Sequence, residues 1–321
     1  MNDQLIVTTS PHFKHPTTTT TIMRDVLIAL APVTVASVII HGWYALLMVL
    51  VSVIAAVGAE FIFNICAKKT QTITDLSAAV TGLLLALNLS TKVELWQCAV
   101  GAVFAIVVVK CLFGGIGCNF ANPAITGRIF LILAFSSTVA GGALGGNPWQ
   151  GGYVDLVGGA TPLPVIGAGA PASELPTLLE MLLGVRGGAI GEGCIAALVI
   201  GGIYLIARGV IGWEAPVTFM GTVFFLSWIF TGSLTSAIYY LLAGGVVIAA
   251  FFMITDYSST PINKLGKIVF AFGAGLITVL IRFFGSYPEG VSYAILIMNI
   301  VTPYIEKLTA KKAFGGIKNE K

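Results

Sequence analysis

Apolar residues run along this chain in long blocks, broken by short polar punctuation. A membrane-crossing helix needs about 20 apolar residues, or somewhat fewer where protein shelters it. Ten blocks meet that description. The first five cover 25–41, 43–65, 76–90, 95–113 and 123–140, and the last five cover 190–207, 215–231, 235–254, 267–285 and 289–305. The third is short for a helix facing lipid, which predicts an interrupted helix or one tilted inside a bundle. Between the fifth and sixth blocks lies a weakly hydrophobic interval. Residues 141–193 hold 15 glycines, with prolines at 148, 162, 164, 171 and 176. An interval that long without structure of its own is usually functional or disordered. Within it, the run 175–185 is too short to span and predicts a helix at the interface.

Basic residues orient the blocks. With the N-terminus inside, fourteen Lys and Arg fall on inner segments, Lys110 and Arg128 among them. Only Lys92, Arg186 and Arg282 fall outside. The bias predicts ten spans with both termini cytoplasmic and the glycine-rich loop outside. A weak internal repeat divides the chain further. Phe113-Gly-Gly-Ile-Gly-Cys-Asn119-Phe-Ala-Asn-Pro123 leads into a block with Arg128, and Phe252-Met-Ile-Thr-Asp256-Tyr-Ser-Ser-Thr-Pro261 leads into one with Lys267. The prolines are 138 residues apart, and Asp75 precedes Glu214 by 139. Five spans per unit would invert the second unit, and sites in such folds lie at the repeat interface.

The predicted fold class is therefore an all-α integral membrane protein, with about ten transmembrane helices as two inverted five-helix repeats. The predicted domains are a cytoplasmic tail (1–24), a first repeat (25–140), an extracytoplasmic glycine-rich loop (141–189), a second repeat (190–305) and a cytoplasmic tail (306–321).

Composition agrees. Of 321 residues, 57% are hydrophobic and 10% charged, with mean hydropathy +0.95; soluble domains carry about 25% charge. The net charge of +3 does not indicate nucleic acid, because the basic residues follow membrane topology. No secretory signal is evident in 1–23. Five cysteines without a CxxC pair point to apolar packing and not to a disulfide framework or a metal site within the chain; a cysteine ligand to a cluster shared at a subunit interface is the alternative. His12, His15 and His41 form no HxH or HExxH pattern. A P-loop, a dinucleotide fingerprint and a nucleophile–base arrangement are also missing, so no residue of this chain is expected to be catalytic or to bind a metal, NAD or ATP.

Two kinds of position remain that could carry chemistry. The repeat loops each place polar side chains before a proline, and free N–H groups at helix starts attract anions or polar ligand atoms. Asn119, Asn122 and Arg128 in one loop, with Asp256, Ser258, Ser259 and Thr260 in the other, fit a cofactor or ion site; helix capping at a membrane face explains them equally well. Among the acids, Asp25, Asp75, Glu192 and Glu214 lie near helix starts, where the dipole and capping account for them. Glu60 lies inside an apolar run, where a charge hints at function. Trp43, Trp96, Trp213 and Trp228 lie near block ends, as interfacial anchors do.

Five stretches carry a family resemblance: 23–30 (Met-Arg-Asp-Val-Leu-Ile-Ala-Leu), 74–82 (Thr-Asp-Leu-Ser-Ala-Ala-Val-Thr-Gly), 113–117 with Asn122-Pro123-Ala124, Asp155-Leu-Val-Gly-Gly-Ala-Thr161-Pro162, and Thr255 through Pro261. On these the chain resembles the family that holds the D-type subunits of Rnf electron-transport complexes and the B-type subunits of sodium-pumping NADH:quinone oxidoreductases. The absence of a long N-terminal extension favours the former. The resemblance implies FMN joined through its phosphate to Thr161, a bond made by a separate flavin transferase. Asp155, Gly159, Ala160, Pro162 and Leu163 surround that position, and Gly158 departs from the usual serine or threonine. A noncovalent riboflavin in the membrane part is also implied.

The function so implied is electron transfer between reduced ferredoxin and NAD, coupled to translocation of Na+ or H+. The implied partners are the lipid bilayer and the other Rnf proteins: the flavin-bearing RnfG, the membrane proteins RnfA and RnfE, and the cytoplasmic RnfB and RnfC. Two alternatives are a quinone-reducing sodium pump and a non-redox solute channel built on inverted repeats.

Overall fold

The computed structural model describes residues 17–136, 177–184, 188–285 and 290–310. The described residues form helices and connecting turns, with no strand among them. Helix α1 spans Thr19–His41 and begins six residues before its apolar block, because the Thr18 hydroxyl accepts from the Thr21 N–H and caps the first turn. It stops at Gly42, whose φ of 74° suits glycine. Helix α2 (Trp43–Cys66) follows at once. Helix α3 (Ser77–Leu87) opens where an Asp75 oxygen accepts from the Ser77 N–H. Its 11 residues span only about 16 Å, at 1.5 Å per residue. All but one of them are buried. Protein, not lipid, surrounds this short segment, as its length required.

Helix α4 (Leu95–Phe104) starts with a reciprocal cap between Glu94 and Gln97 and runs into a π-helical turn, Ala105–Cys111. Helix α5 (Pro123–Ala134) has proline in its first turn, and Asn122 Oδ1 accepts from the N–H groups of Ala124 and Ile125. Helix α6 (Leu178–Leu183) is the short segment expected at the interface. Helices α7 (Ile195–Ala207) and α8 (Glu214–Thr231) come next. The eighth apolar block is broken: α9 (Leu234–Leu242) meets α10 (Val246–Ile248), which continues as a second π-helical turn, Ala249–Met253, at a bend of 63°. Helices α11 (Lys264–Phe284) and α12 (Val291–Thr309) complete the order.

Each of the ten blocks thus coincides with a helix or with the broken pair. Among the described residues, α1, α2, α8 and α11 are long and apolar enough to cross a membrane alone, and the broken pair reaches that length and apolarity only when its two parts are taken together. One expectation fails: Pro261 does not open a helix. Helix α11 begins three residues later, because Asn263 holds an extended conformation at the cap.

Most buried apolar side chains fall into two large clusters that do not follow chain order, beside a small third one of Met181, Tyr239, Tyr240 and Ala243. The first joins α1–α4 with Ala124 and Leu131 of α5, with α7 and with the π-turn residues Phe251 and Phe252. The second joins α8, α10, α11 and α12 with Ile125 and Ile129 of α5. Helix α7 packs into the first-half core, and α5 divides its side chains between both clusters, so the two halves of the chain interlock. Close packing depends on glycine at the α2–α3 contact. A Cβ on Gly82 would stand 2.8 Å from the Ser52 carbonyl oxygen.

The broken span raises an accounting problem, since free carbonyls are costly at membrane depth. Arg282 of α11 resolves it: its guanidinium donates to the carbonyls of Tyr240, Ala243 and Gly244 at the end of α9. Arg282, counted as an outer-face charge, therefore has a partner role inside the fold. Lys110 and Arg128, only 3% and 7% exposed, are likewise not free inner-face charges. Of the face charges counted, twelve inner and two outer remain, so the asymmetry survives.

Candidate functional site

The two repeat loops, 138 residues apart at their prolines, meet in space. Each leaves a π-helical turn, a distortion that often marks a functional position. Together they line a cleft of about 580 Å³, with Ile116, Asn119 and Phe120 from the first loop and Asp256, Tyr257 and Thr260 from the second. Residues of α1 and α12, among them Met23, Asn299 and Glu306, close its remaining sides. A smaller cavity of about 90 Å³ adjoins it and reaches Ser77, Lys110 and Asn122.

Local hydrogen bonds shape each loop. In the first, Asn119 Nδ2 donates to the Ala121 carbonyl at 3.1 Å. Asn122 both caps α5 and lines the smaller cavity. In the second, the Asp256 carboxylate accepts from Ser259 Oγ at 2.7 Å and Ser258 Oγ at 3.2 Å, and Thr260 Oγ1 donates to the Asp256 carbonyl. Loss of hydration pushes the Asp256 carboxyl above the usual carboxylate range, against the opposing effect of the Ser259 and Ser258 hydroxyls. Tyr257 donates from its hydroxyl to the Val210 carbonyl and keeps half its surface exposed.

Of the residues expected at this site, Asn119, Asn122, Asp256, Ser258, Ser259 and Thr260 are brought to the two cavities. Arg128 is not among those lining either. It is buried on α5, where its guanidinium donates to Ser292 Oγ of α12 at 3.2 Å. Thr161 and its neighbours Asp155, Gly159, Ala160, Pro162 and Leu163 lie outside the described residues.

Glu60, the acid that stands out in the sequence, has a partner that the sequence does not reveal. Lys110 Nζ lies 2.9 Å from Glu60 Oε1, with both side chains almost wholly buried. Lys110 also donates to Ser77 Oγ at 2.6 Å, and Thr72 donates to Glu60 Oε1 at 2.7 Å. Glu60 Oε2 is buried without a hydrogen-bond partner. Fifty residues separate the pair, and in sequence Lys110 resembles a charge at the end of a span. Its only signal is a cation inside an apolar run. Asp25 likewise resembles a helix-start acid. Because α1 starts earlier, Asp25 sits in its second turn, buried, and pairs with Arg208, the residue that ends α7, at 3.2 Å. Asn299 and Thr302 of α12 do not stand out in the sequence, although a polar residue inside an apolar block is itself a signal.

Known proteins resemble this one along its full length. Residues 6–315 match the model of the NQR2, RnfD, RnfE family. The chain is 41% identical to the D subunit of the Na+-translocating ferredoxin:NAD+ oxidoreductase complex of Acetobacterium woodii, over 100% of this chain and 99% of that protein. It is 39% identical to the D subunit of the proton-translocating ferredoxin:NAD+ oxidoreductase complex of Clostridium ljungdahlii, over 96% of each chain. It is 33% identical to the D subunit of the ion-translocating oxidoreductase complex of Halorhodospira halophila, over 95% of this chain and 94% of that one.

Proposed function

The chain belongs to the NQR2, RnfD, RnfE family, and from that membership we propose that it is the flavin-bearing D subunit of an ion-translocating ferredoxin:NAD oxidoreductase. The full-length match to the D subunits of two ferredoxin:NAD complexes supports the reaction. The observation that carries the cofactor reading is the convergence of loops from both halves on one cleft of about 580 Å³. That volume lies in the usual range for cofactor pockets, and the lining is of the usual kind, apolar faces with a few convergent polar groups.

The residues fit a flavin ring. Ile116, Phe120 and Tyr257 offer apolar surface, and Asn119, Asp256 and Thr260 offer donors and acceptors to a polar edge. A bound flavin supplies the electron-transfer chemistry. The chain's own part is to bind, orient and shelter. Lys110, paired with Glu60, and the ionisable Asp256 lie at the smaller cavity. A change of charge there shifts the balance between alternative helix arrangements across inverted halves. The paired π-turns ahead of the two loops support such halves.

A second flavin, FMN, is joined by a phosphoester to Thr161; the Asp155–Leu163 motif and family membership support this. Both termini face the cytoplasm and the Thr161 loop faces outward, as the charge asymmetry favours. A flavin transferase matures the chain, which then assembles with the remaining Rnf subunits. Relatives at 41% and 39% identity carry names with different ions, Na+ for one and protons for the other.

The test is the complex purified after co-expression with a flavin transferase. It should reduce NAD from reduced ferredoxin without quinone, and the peptide bearing Thr161 should gain the mass of FMN. An absolute quinone requirement would move the chain to the quinone-reducing relatives. An unmodified Thr161 peptide without in-gel flavin fluorescence would remove the attachment claim.

A further inference from the structure

We infer that Asn299 is the positioning residue that clamps the two loops together and so sets the width of the cleft; the inference rests on the flavin reading only for its consequence. Asn299 projects from α12 and is 2% exposed. Oriented by its hydrogen-bond surroundings, its amide oxygen accepts from the Asn122 backbone N–H at 3.0 Å, and its amide nitrogen donates to the Ser259 carbonyl at 3.2 Å. One side chain thus binds the first-half loop with its acceptor and the second-half loop with its donor. Thr302, one turn along α12, donates to the same Ser259 carbonyl at 3.0 Å. Arg128 ties α5 to α12 through Ser292 on the same side. The loops have no covalent link nearer than the intervening chain, so their separation depends on such a bridge. The position demands an amide: a short side chain that donates and accepts at once is what the geometry uses. Asn299 also lines the cleft.

The protonated form of aspartic acid matches this donor–acceptor pattern, and its ionised form does not. That makes Asn299→Asp a pH-addressable test in the purified whole complex. Hydrogen exchange of segments 113–123 and 254–263 reads the clamp directly, normalised to the intrinsic exchange rate at each pH. Extractable flavin reads its consequence. Asn299→Leu should speed exchange at the Asn122 amide about tenfold, since an N–H loses its acceptor. Asn299→Asp should show near wild-type protection and flavin content in acidic buffer; in alkaline buffer the carboxylate still accepts from the Asn122 N–H but repels the Ser259 carbonyl, so protection of 254–263 and flavin content fall, while the wild type shows no such dependence.

Unchanged exchange in Asn299→Asp across pH would overturn the clamp, and that variant decides the matter if Asn299→Leu fails to assemble. Loosened loops with flavin content undiminished would overturn the positioning role. If exchange responds but the wild-type complex yields no extractable flavin, the clamp stands and the flavin reading of the cleft falls.

Discussion

Replacing Lys110 by methionine removes the cation that neutralises Glu60 while roughly keeping side-chain length. The carboxylate it leaves behind is 1% exposed. Only the Thr72 hydroxyl still bonds Oε1, and Oε2 has no partner. Breaking a buried pair by removing one member costs about 3–5 kcal/mol, because the survivor stays charged and desolvated. The lost bond from Lys110 to Ser77 adds about 1 kcal/mol. Both side chains are almost wholly buried, so solvent screening does not reduce these figures. A loss of about 4–6 kcal/mol corresponds to a fall in Tm of roughly 8–24 °C for a bundle of this size. The double change Glu60→Gln with Lys110→Met removes both charges, and neutral replacement of a buried pair costs little. It should recover most of the loss, leaving a deficit under about 2 kcal/mol. Thermal unfolding of the detergent-solubilised complex, followed by tryptophan fluorescence, measures all three proteins and closes the double-mutant cycle. A Lys110→Met cost under about 1 kcal/mol, or two single losses that simply add in the double variant, would refute the coupling of this pair.

Three other outcomes follow from the packing and the loops. Arg282→Leu strips a charge-assisted donor from three carbonyls at the end of α9 and should cost about 2–5 kcal/mol in the same assay; Arg282→Lys should cost less, since an ammonium still caps the helix end. Gly82→Ala puts a Cβ 2.8 Å from the Ser52 oxygen and 2.9 Å from Val53 Cα, both backbone atoms that cannot swing aside. It should lower stability by about 1–3 kcal/mol, and a neutral result would contradict the α2–α3 approach described above. Asp256 has a raised folded-state pKa, so the folded form holds a proton that the unfolded form releases. Stability contributed at this residue is therefore complete below the unfolded value of 3.8 and falls as pH rises toward the folded value. Asp256→Asn should flatten that part of a Tm-versus-pH profile, and an unchanged slope would show that Asp256 is not its source.

Much of the architecture was legible in the sequence because lipid imposes a one-dimensional rule. Each crossing must satisfy its own backbone and present an apolar surface, so the crossings appear as apolar blocks, and all ten correspond to helices or to the broken pair. The two polar loops were legible for a similar reason. Asn122-Pro123 and the Asp256–Thr260 cluster interrupt apolar runs where a helix must end and another begin. Helix ends were less legible: Thr18 extended α1 and Asn263 delayed α11, because caps depend on backbone conformation as much as on residue type.

What only the tertiary structure decided was which polar groups meet. Glu60 and Lys110, 50 residues apart, each look like an isolated charge until α2 packs against the π-turn after α4. Arg282 resembles a topological marker until the break after α9 turns its carbonyls toward α11. The placement of α7 in the first-half core, and of α5 between the two cores, has no periodic signature, since a helix buried among helices is apolar on every side whichever neighbours it takes. Asn299 looks like a blemish in an apolar helix. Its role exists only where the Asn122 N–H and the Ser259 carbonyl arrive together, because pairing of buried polar groups is a condition on three-dimensional distance and carries no fixed spacing along the chain.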